Sequence, residues 1–234
     1  VTRKGRTALV VLTAVGTLLG ASPADAGRKP PPPPCQLPAT DLCRSFLKLG
    51  VAWPTRTITY YVNEAGAPQG FAGAVQAAFD EWEHEIKSAE VEAALPGDRS
   101  IIDFVYGGVT TRSSEAQGDG FNVVGYKAGV CEHCAYVNLK SRQRTISEAD
   151  ITFSTSLGPS EDVFMTDVTC PALDCNKYDI QSIAAHEVGH FIGLAHVSGE
   201  SEAALVMYPS TKRGEIQDRT LGAGDVLGLR ALYP

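Results

Sequence analysis

The chain of 234 residues reads as an α+β domain. Three observations carry that reading. Segments with β-branched, aromatic or alternating character gather between residues 56 and 154. Two longer segments, starting at Phe71 and Asp179, repeat apolar residues at helical spacing. A third, shorter helical segment closes the chain.

The N-terminus stands apart. Arg3, Lys4 and Arg6 precede the apolar run ALVVLTAVGTLLG (8–20), and ASPADA follows, with small residues at Ala24 and Ala26. This is the layout of a secretory signal peptide cut near Ala26. The run has 13 residues, short of the roughly 20 that span a bilayer, so export is expected and a stable membrane anchor is not. Net charge is −7, and becomes −9 once three basic groups and Asp25 leave with the leader. That balance gives no reason to expect nucleic-acid binding. GRKPPPPP (27–34) follows as a semi-rigid polyproline spacer, then a loop holding Cys35 and Cys43. The expected organisation is a leader over 1–26, a Pro-rich linker and cysteine loop over 27–50, and one domain over 51–234.

In RTITYYVNE (56–64), Ile58, Tyr60 and Val62 alternate with Thr57, Thr59 and Tyr61, which predicts a strand. FAGAVQAAFDEWEHEI (71–86) places Phe71, Ala74, Val75, Ala78, Trp82 and Ile86 on one helical stripe. SIIDFVYGG (100–108), FNVVGYKAG (121–129), CAYVNLK (134–140) and ADITFS (149–154) follow as strands. After a long connection, Asp179 is placed to cap a second helix. There Ile180, Ala184, Val188, Phe191 and Ala195 form one line, while His186 and His190 sit on the opposite side. Both faces have work to do, so this helix should run through the middle of the protein. LGAGDVLGLRALY (221–233) reads as a terminal helix weakened by three glycines, with Val226, Leu229 and Leu232 facing inward.

Six cysteines fall into three close pairs, Cys35/Cys43, Cys131/Cys134 and Cys170/Cys175. In an exported chain an even count suggests disulfides. Six cysteines permit fifteen pairings, so the local pairing rests on proximity alone. A metal site using CEHC (131–134) is the alternative.

HEVGHFIGLAH (186–196) holds three of the five histidines. Four residues apart on a helix, His186 and His190 point the same way, one turn apart. His196 would be carried off the site if the helix continued, so the chain must turn between them. Gly193 permits that turn, because glycine tolerates positive φ. Three imidazoles around one Zn²⁺ leave an open position for water, whose pKa drops to about 7. Glu187 flanks the ion rather than binding it, which suits a general base. The pattern points to hydrolysis of an acyl bond, most simply a peptide bond. Chance would place His, Glu and Gly at these five positions in about one chain of this length in 10⁵.

With VMYP (206–209) beyond it, the motif resembles H-E-x-x-H-x-x-G-x-x-H and the methionine turn of the metzincin metallopeptidases. The ending AGDVLGLRALYP, the upstream EADITFS and the order of elements make it similar to the matrixins, including their shorter bacterial secreted members. The resemblance covers about residues 54–234. It implies a mixed, twisted five-stranded sheet with two long helices, a zinc cleft and a C-terminal helix. It also implies His186, His190 and His196 as ligands of one catalytic Zn²⁺, Glu187 as base, Met207 in the turn beneath the metal, and Asp225 tying the last helix to that turn. The substrate would be an extended peptide lying along an exposed strand edge, here Tyr136–Leu139.

The chain also departs from the family. The second zinc of the matrixins has no counterpart, since only His84 and His133 remain, and Ca²⁺ is possible but not indicated by residues. Cys131 and Cys134 could staple the loop that metals hold elsewhere. PCQLPATD (34–41) lacks the Arg and Gly of the family's cysteine switch. Val197 stands where a small polar residue is usual, and Thr211 where a specificity-pocket tyrosine is usual. The expected function is a secreted zinc endopeptidase, working as a monomer. The alternative is a catalytically silent zinc-binding module of the same fold that acts in protein binding.

Overall fold

The computed structural model describes residues 8–15, 44–97, 102–129, 133–155, 164–165 and 177–234. Cys35, Cys43, Cys131, Cys170 and Cys175 lie outside the described residues, and of Cys134 only the backbone is described. All three expected disulfides, Cys35–Cys43, Cys131–Cys134 and Cys170–Cys175, therefore fall outside them. In chain order the elements are β1 (Ala8–Val15), β2 (Leu47–Lys48), β3 (Thr57–Asn63), α1 (Phe71–Glu83), α2 (Ala89–Ala94), β4 (Asp103–Val109), β5 (Val123–Tyr126), β6 (His133–Arg142), β7 (Thr145–Thr155), β8 (Phe164–Met165), β9 (Tyr178–Asp179), α3 (Ile180–Phe191), β10 (Leu194–Ala195) and α4 (Ala223–Leu232).

The main sheet runs β6-β7-β5-β3-β4. β3 is parallel to both β4 and β5, β5 is parallel to β7, and β6 alone is antiparallel, giving the mixed five-stranded sheet. A sixth strand, which the sequence did not lead us to expect, lies outside it. β1, from the apolar run near the N-terminus, pairs antiparallel with β6 from Ala8 opposite Ser141 to Val15 opposite Cys134. An edge strand offers a row of unpaired backbone groups, and a β-branched apolar segment can pair with them. β6 and β7 are joined by a two-residue turn at Gln143 and Arg144, whose φ of 53° and 67° match the twist of a tight hairpin.

The alternation in β3 holds: Ile58, Tyr60 and Val62 are buried and Thr57 is exposed. On the buried face Tyr60 stacks on Phe79 of α1 at 3.8 Å, and Phe79 meets Phe191 of α3 edge-on at 5.4 Å. Helix α1 stops at Glu83, short of the expected Ile86. Glu85 turns to φ 45°, so that Ile86 is 44% exposed while Glu85 points inside. There Glu85 takes a two-pronged ion pair from Arg230 of α4 and a third contact from Lys87. A buried charge left without those partners would be strongly destabilising, which explains why the turn favours Glu85 over Ile86.

The acids of EADITFS anchor a loop. Glu148 accepts from the backbone N–H groups of Gly118 and Gly120, and Asp150 accepts from Val123 N at 2.9 Å. Burial outweighs that N–H and pushes the Asp150 carboxyl up to about 8. The segment 113–122 is therefore held by carboxylates of the neighbouring strand.

Candidate metal centre

Helix α3 begins where the sequence places it. Asp179 caps it, its carboxylate accepting from Ser182 N at 2.9 Å, and Arg219 adds a hydrogen bond to the same oxygen at 2.8 Å. Every residue from Ser182 to Phe191 is buried. One side packs on α1, where Trp82 Nε1 donates to Ala185 O at 2.8 Å. Ala195, expected on the helix, instead lies beyond its end in β10. The helix stops at Phe191 because Gly193 adopts φ 107° and turns the chain back. A Cβ on Gly193 would also stand 2.2 Å from Val51 O, so glycine is needed for space as well as for conformation.

The turn brings His196 to the other two histidines. Its Nε2 lies 3.0 Å from Nε2 of His186 and 3.0 Å from Nε2 of His190. Among the described residues this is the one cluster of three or more His, Cys, Asp or Glu with atoms close enough to hold a metal ion. The Nδ1 atoms of His186 and His190 face Val206 O at 2.6 Å and Leu194 O at 2.9 Å. A carbonyl only accepts, so each Nδ1 carries the proton and each Nε2 presents a lone pair. Lone pairs that converge in this way repel one another unless a cation lies between them. Tetrahedral zinc ligands at about 2.0–2.1 Å would stand about 3.3 Å apart, close to the spacing seen. Burial lowers the pKa of all three imidazoles, that of His186 to about 4, so all are neutral near pH 7, as ligands must be.

Glu187 is fully buried beside this cluster, and neither carboxylate oxygen has a protein partner. Burial raises its pKa well above the ordinary range. Met207 lies beneath, its sulfur so close to Gly189 that a Cβ there would stand 2.1 Å from it and 3.0 Å from Trp82. The residue at position 189 is thus set by packing, which the motif alone did not reveal. Asp225 accepts from Val206 N at 2.9 Å, Met207 N at 3.1 Å and Gly222 N at 2.9 Å. Burial still pushes its carboxyl up to about 6 against those three donors. Val197 is buried, and its N–H donates to Met207 O at 3.0 Å. Its apolar side chain belongs to the core, which is why a polar residue is not required at that position. His84 is exposed just past the end of α1, and the His133 side chain lies outside the described residues. The alternative metal site at CEHC lies outside them too, since Cys131 and the Cys134 side chain are not described.

Two residues of this region carry no signal in the sequence. Trp53 Nε1 donates to Phe191 O at 2.9 Å, and Tyr233 OH donates to Ile192 O at 2.7 Å. Together they satisfy carbonyls at the end of α3, which helices leave without partners. Both come from distant parts of the chain, so no local pattern could mark them.

Comparison with known proteins agrees with this geometry. Metalloendoproteinase 1-MMP of Arabidopsis thaliana is 46% identical over 55 residues, which is 24% of this chain and 14% of that protein. Metalloendoproteinase 1 of Glycine max is 39% identical over 62 residues, 25% of this chain and 18% of its own length. Neutrophil collagenase of Homo sapiens is 37% identical over 57 residues, 24% of this chain and 12% of its own. The matched stretch is thus under a fifth of each relative. The family profile reaches much further, spanning residues 52–234, and on that extent the chain belongs to the matrixin family.

Proposed function

We propose that the protein is an exported zinc-dependent endopeptidase. The observation that carries this reading is the convergence of three Nε2 atoms, two of them on imidazoles whose Nδ1 faces a carbonyl, beside a buried carboxyl group that has no other partner. His186, His190 and His196 would hold the ion. When bound, zinc supplies a Lewis acid that lowers the pKa of its water to about 7 and stabilises charge on a peptide carbonyl oxygen. Glu187 takes the proton from the attacking water and delivers it to the leaving amine. Its burial favours the first half of that task, since a desolvated carboxylate binds a proton readily. Asp225 and Met207 would hold the floor of the site in place.

The substrate would be an extended peptide added along the edge of β6, with Tyr136–Leu139 supplying backbone groups. That this edge accepts a strand is supported by β1, which pairs there antiparallel. Export after cleavage near Ala26, a monomeric state and local pairing of Cys35 with Cys43, Cys131 with Cys134 and Cys170 with Cys175 complete the reading. No described helix is long and apolar enough to cross a membrane.

The test is Glu187→Ala. It should keep stoichiometric zinc and lose chelator-sensitive cleavage of an unfolded protein substrate. Wild-type protein that binds zinc yet cleaves nothing would instead favour a silent module of the same fold.

A further inference from the structure

The residues just ahead of the family match are packed onto the metal centre. Ser45–Leu49 precede residue 52, where the family profile begins, and by sequence they belong to the linker. In the structure they run backwards along the turn that carries His196. Leu47 lies opposite Ala195 and Lys48 opposite Leu194, as an antiparallel pair. Leu49 N donates to Gly193 O at 2.8 Å. Val51 O then covers Gly193, and Trp53 reaches Phe191 O.

The other end of the segment is seated on α4. A Cβ on Gly224 would stand 2.2 Å from Ser45 O, and one on Gly228 would stand 3.0 Å from the Phe46 side chain. Four apart, these glycines share one helix face. They weaken α4 as a helix, but they open the groove in which the segment lies. Ser45 Oγ also donates to Glu202 at 3.3 Å.

The placement matters because of what the turn holds. Leu194 O is the acceptor for His190 Nδ1, and His196 follows Ala195 directly. Partners that orient a ligand's far nitrogen tune metal affinity by about tenfold to a hundredfold. We infer that Ser45–Leu49 is a strap that positions two of the three histidines through β10, and that the functional unit therefore begins near Ser45. Leu49 acts here through its backbone N–H as a positioning residue. The inference rests on the zinc-site reading above.

Two substitutions in the full chain separate the roles. Leu49→Pro removes the N–H, whereas Leu49→Ala keeps it and trims the side chain. Zinc affinity is read by competition with a chromogenic chelator, and folding by circular dichroism. Leu49→Pro should bind zinc about tenfold to a hundredfold more weakly, while Leu49→Ala stays within about threefold of wild type, on the same scale. A folded Leu49→Pro with wild-type affinity overturns the strap. Hydrogen exchange on the unsubstituted protein is the second measurement, and it decides the matter if Leu49→Pro does not fold. The Leu49 amide and the amides of Ala195–Val197 should open together and gain protection together when zinc is added. Free exchange at Leu49 with protection at Ala195–Val197 overturns the inference. If wild-type protein binds no zinc, the reading of the site falls, and joint opening in the metal-free protein still tests the strap.

Discussion

The two halves of the candidate metal centre are built by opposite means. His186, Glu187 and His190 sit on one helix packed between α1 and the sheet, with His190 fully buried. His196 is only half-buried and follows a glycine turn and a two-residue strand. The first half inherits its geometry from the helical repeat. The second is assembled from single contacts: Leu49 to Gly193, Val197 to Met207, and Asp225 to Val206 and Met207. A helix tolerates the loss of one contact because its neighbours share the load. A strung turn does not, so equal substitutions should cost different amounts in the two halves.

Ligand removal should give the largest effect and the sharpest contrast. His190→Ala and His196→Ala should both abolish zinc binding and cleavage. Without metal they should diverge. His190→Ala leaves a cavity and an unpaired Leu194 carbonyl, and should lower stability by about 1–3 kcal/mol. His196→Ala should leave the metal-free fold nearly unchanged. Thermal melts of both metal-free variants check this, and equal losses would break the contrast.

Asp225→Ala comes next. It strips an acceptor from three backbone N–H groups, and unsatisfied buried donors cost about 1–3 kcal/mol each. A loss of about 3 kcal/mol or more is expected on that scale, with zinc affinity falling alongside, because Val206 O orients His186. Urea titration with and without zinc reads both.

The two glycines of the motif should separate in the opposite sense, with the turn as the costlier place. Gly193→Ala meets a fixed backbone oxygen in a left-handed conformation, and should destabilise strongly. Gly189→Ala meets chiefly the thioether of Met207, whose flexible side chain can give way. It should fold, with a smaller loss of melting temperature.

Acid should act on the enclosed half. The folded-state pKa of His186 is depressed to about 4 from an ordinary 6.5. Between those values the unfolded chain binds a proton that the folded chain refuses. The contribution of His186 to the stability of the metal-free protein, read as the difference from a variant lacking this imidazole, should therefore be full above about pH 6.5 and decline as pH falls toward 4. Equilibrium unfolding across that range checks the sign.

The smallest expected effect is a gain. Glu81 of α1 is fully buried with both oxygens unpartnered, and burial raises its pKa to about 10. In the unfolded chain it ionises above about pH 4.5, so its contribution worsens as pH rises from there. Glu81→Gln should raise the melting temperature at about pH 8 more than at about pH 5, by about 2–4 °C per kcal/mol gained.

The same contrast explains what could be read in advance. The helix half was legible because spacing alone puts His186 and His190 on one face, and Asp179 marks where the helix begins. The strands were legible from alternation in β3 and β-branched runs elsewhere. What escaped depends on residues far apart in sequence. The end of α1 falls short of Ile86 because Glu85 answers to Arg230, 145 positions away. Ala195 leaves the helix although the apolar repeat continues past the turn by coincidence. The glycines of α4 look like defects in the sequence, since nothing local shows that Ser45 and Phe46 lie across them. The requirement for Gly189 comes from Met207 and Trp82, neither of which any periodicity ties to it.

The central claim is that the bend at Gly193 swings His196 round to complete a three-imidazole site. X-ray absorption at the zinc edge, on the full chain loaded with one equivalent, addresses it most directly. The account predicts three imidazole nitrogens and one further oxygen at about 2.0–2.1 Å, and no sulfur. Two imidazoles only, or a zinc–sulfur distance of about 2.3 Å, would contradict it.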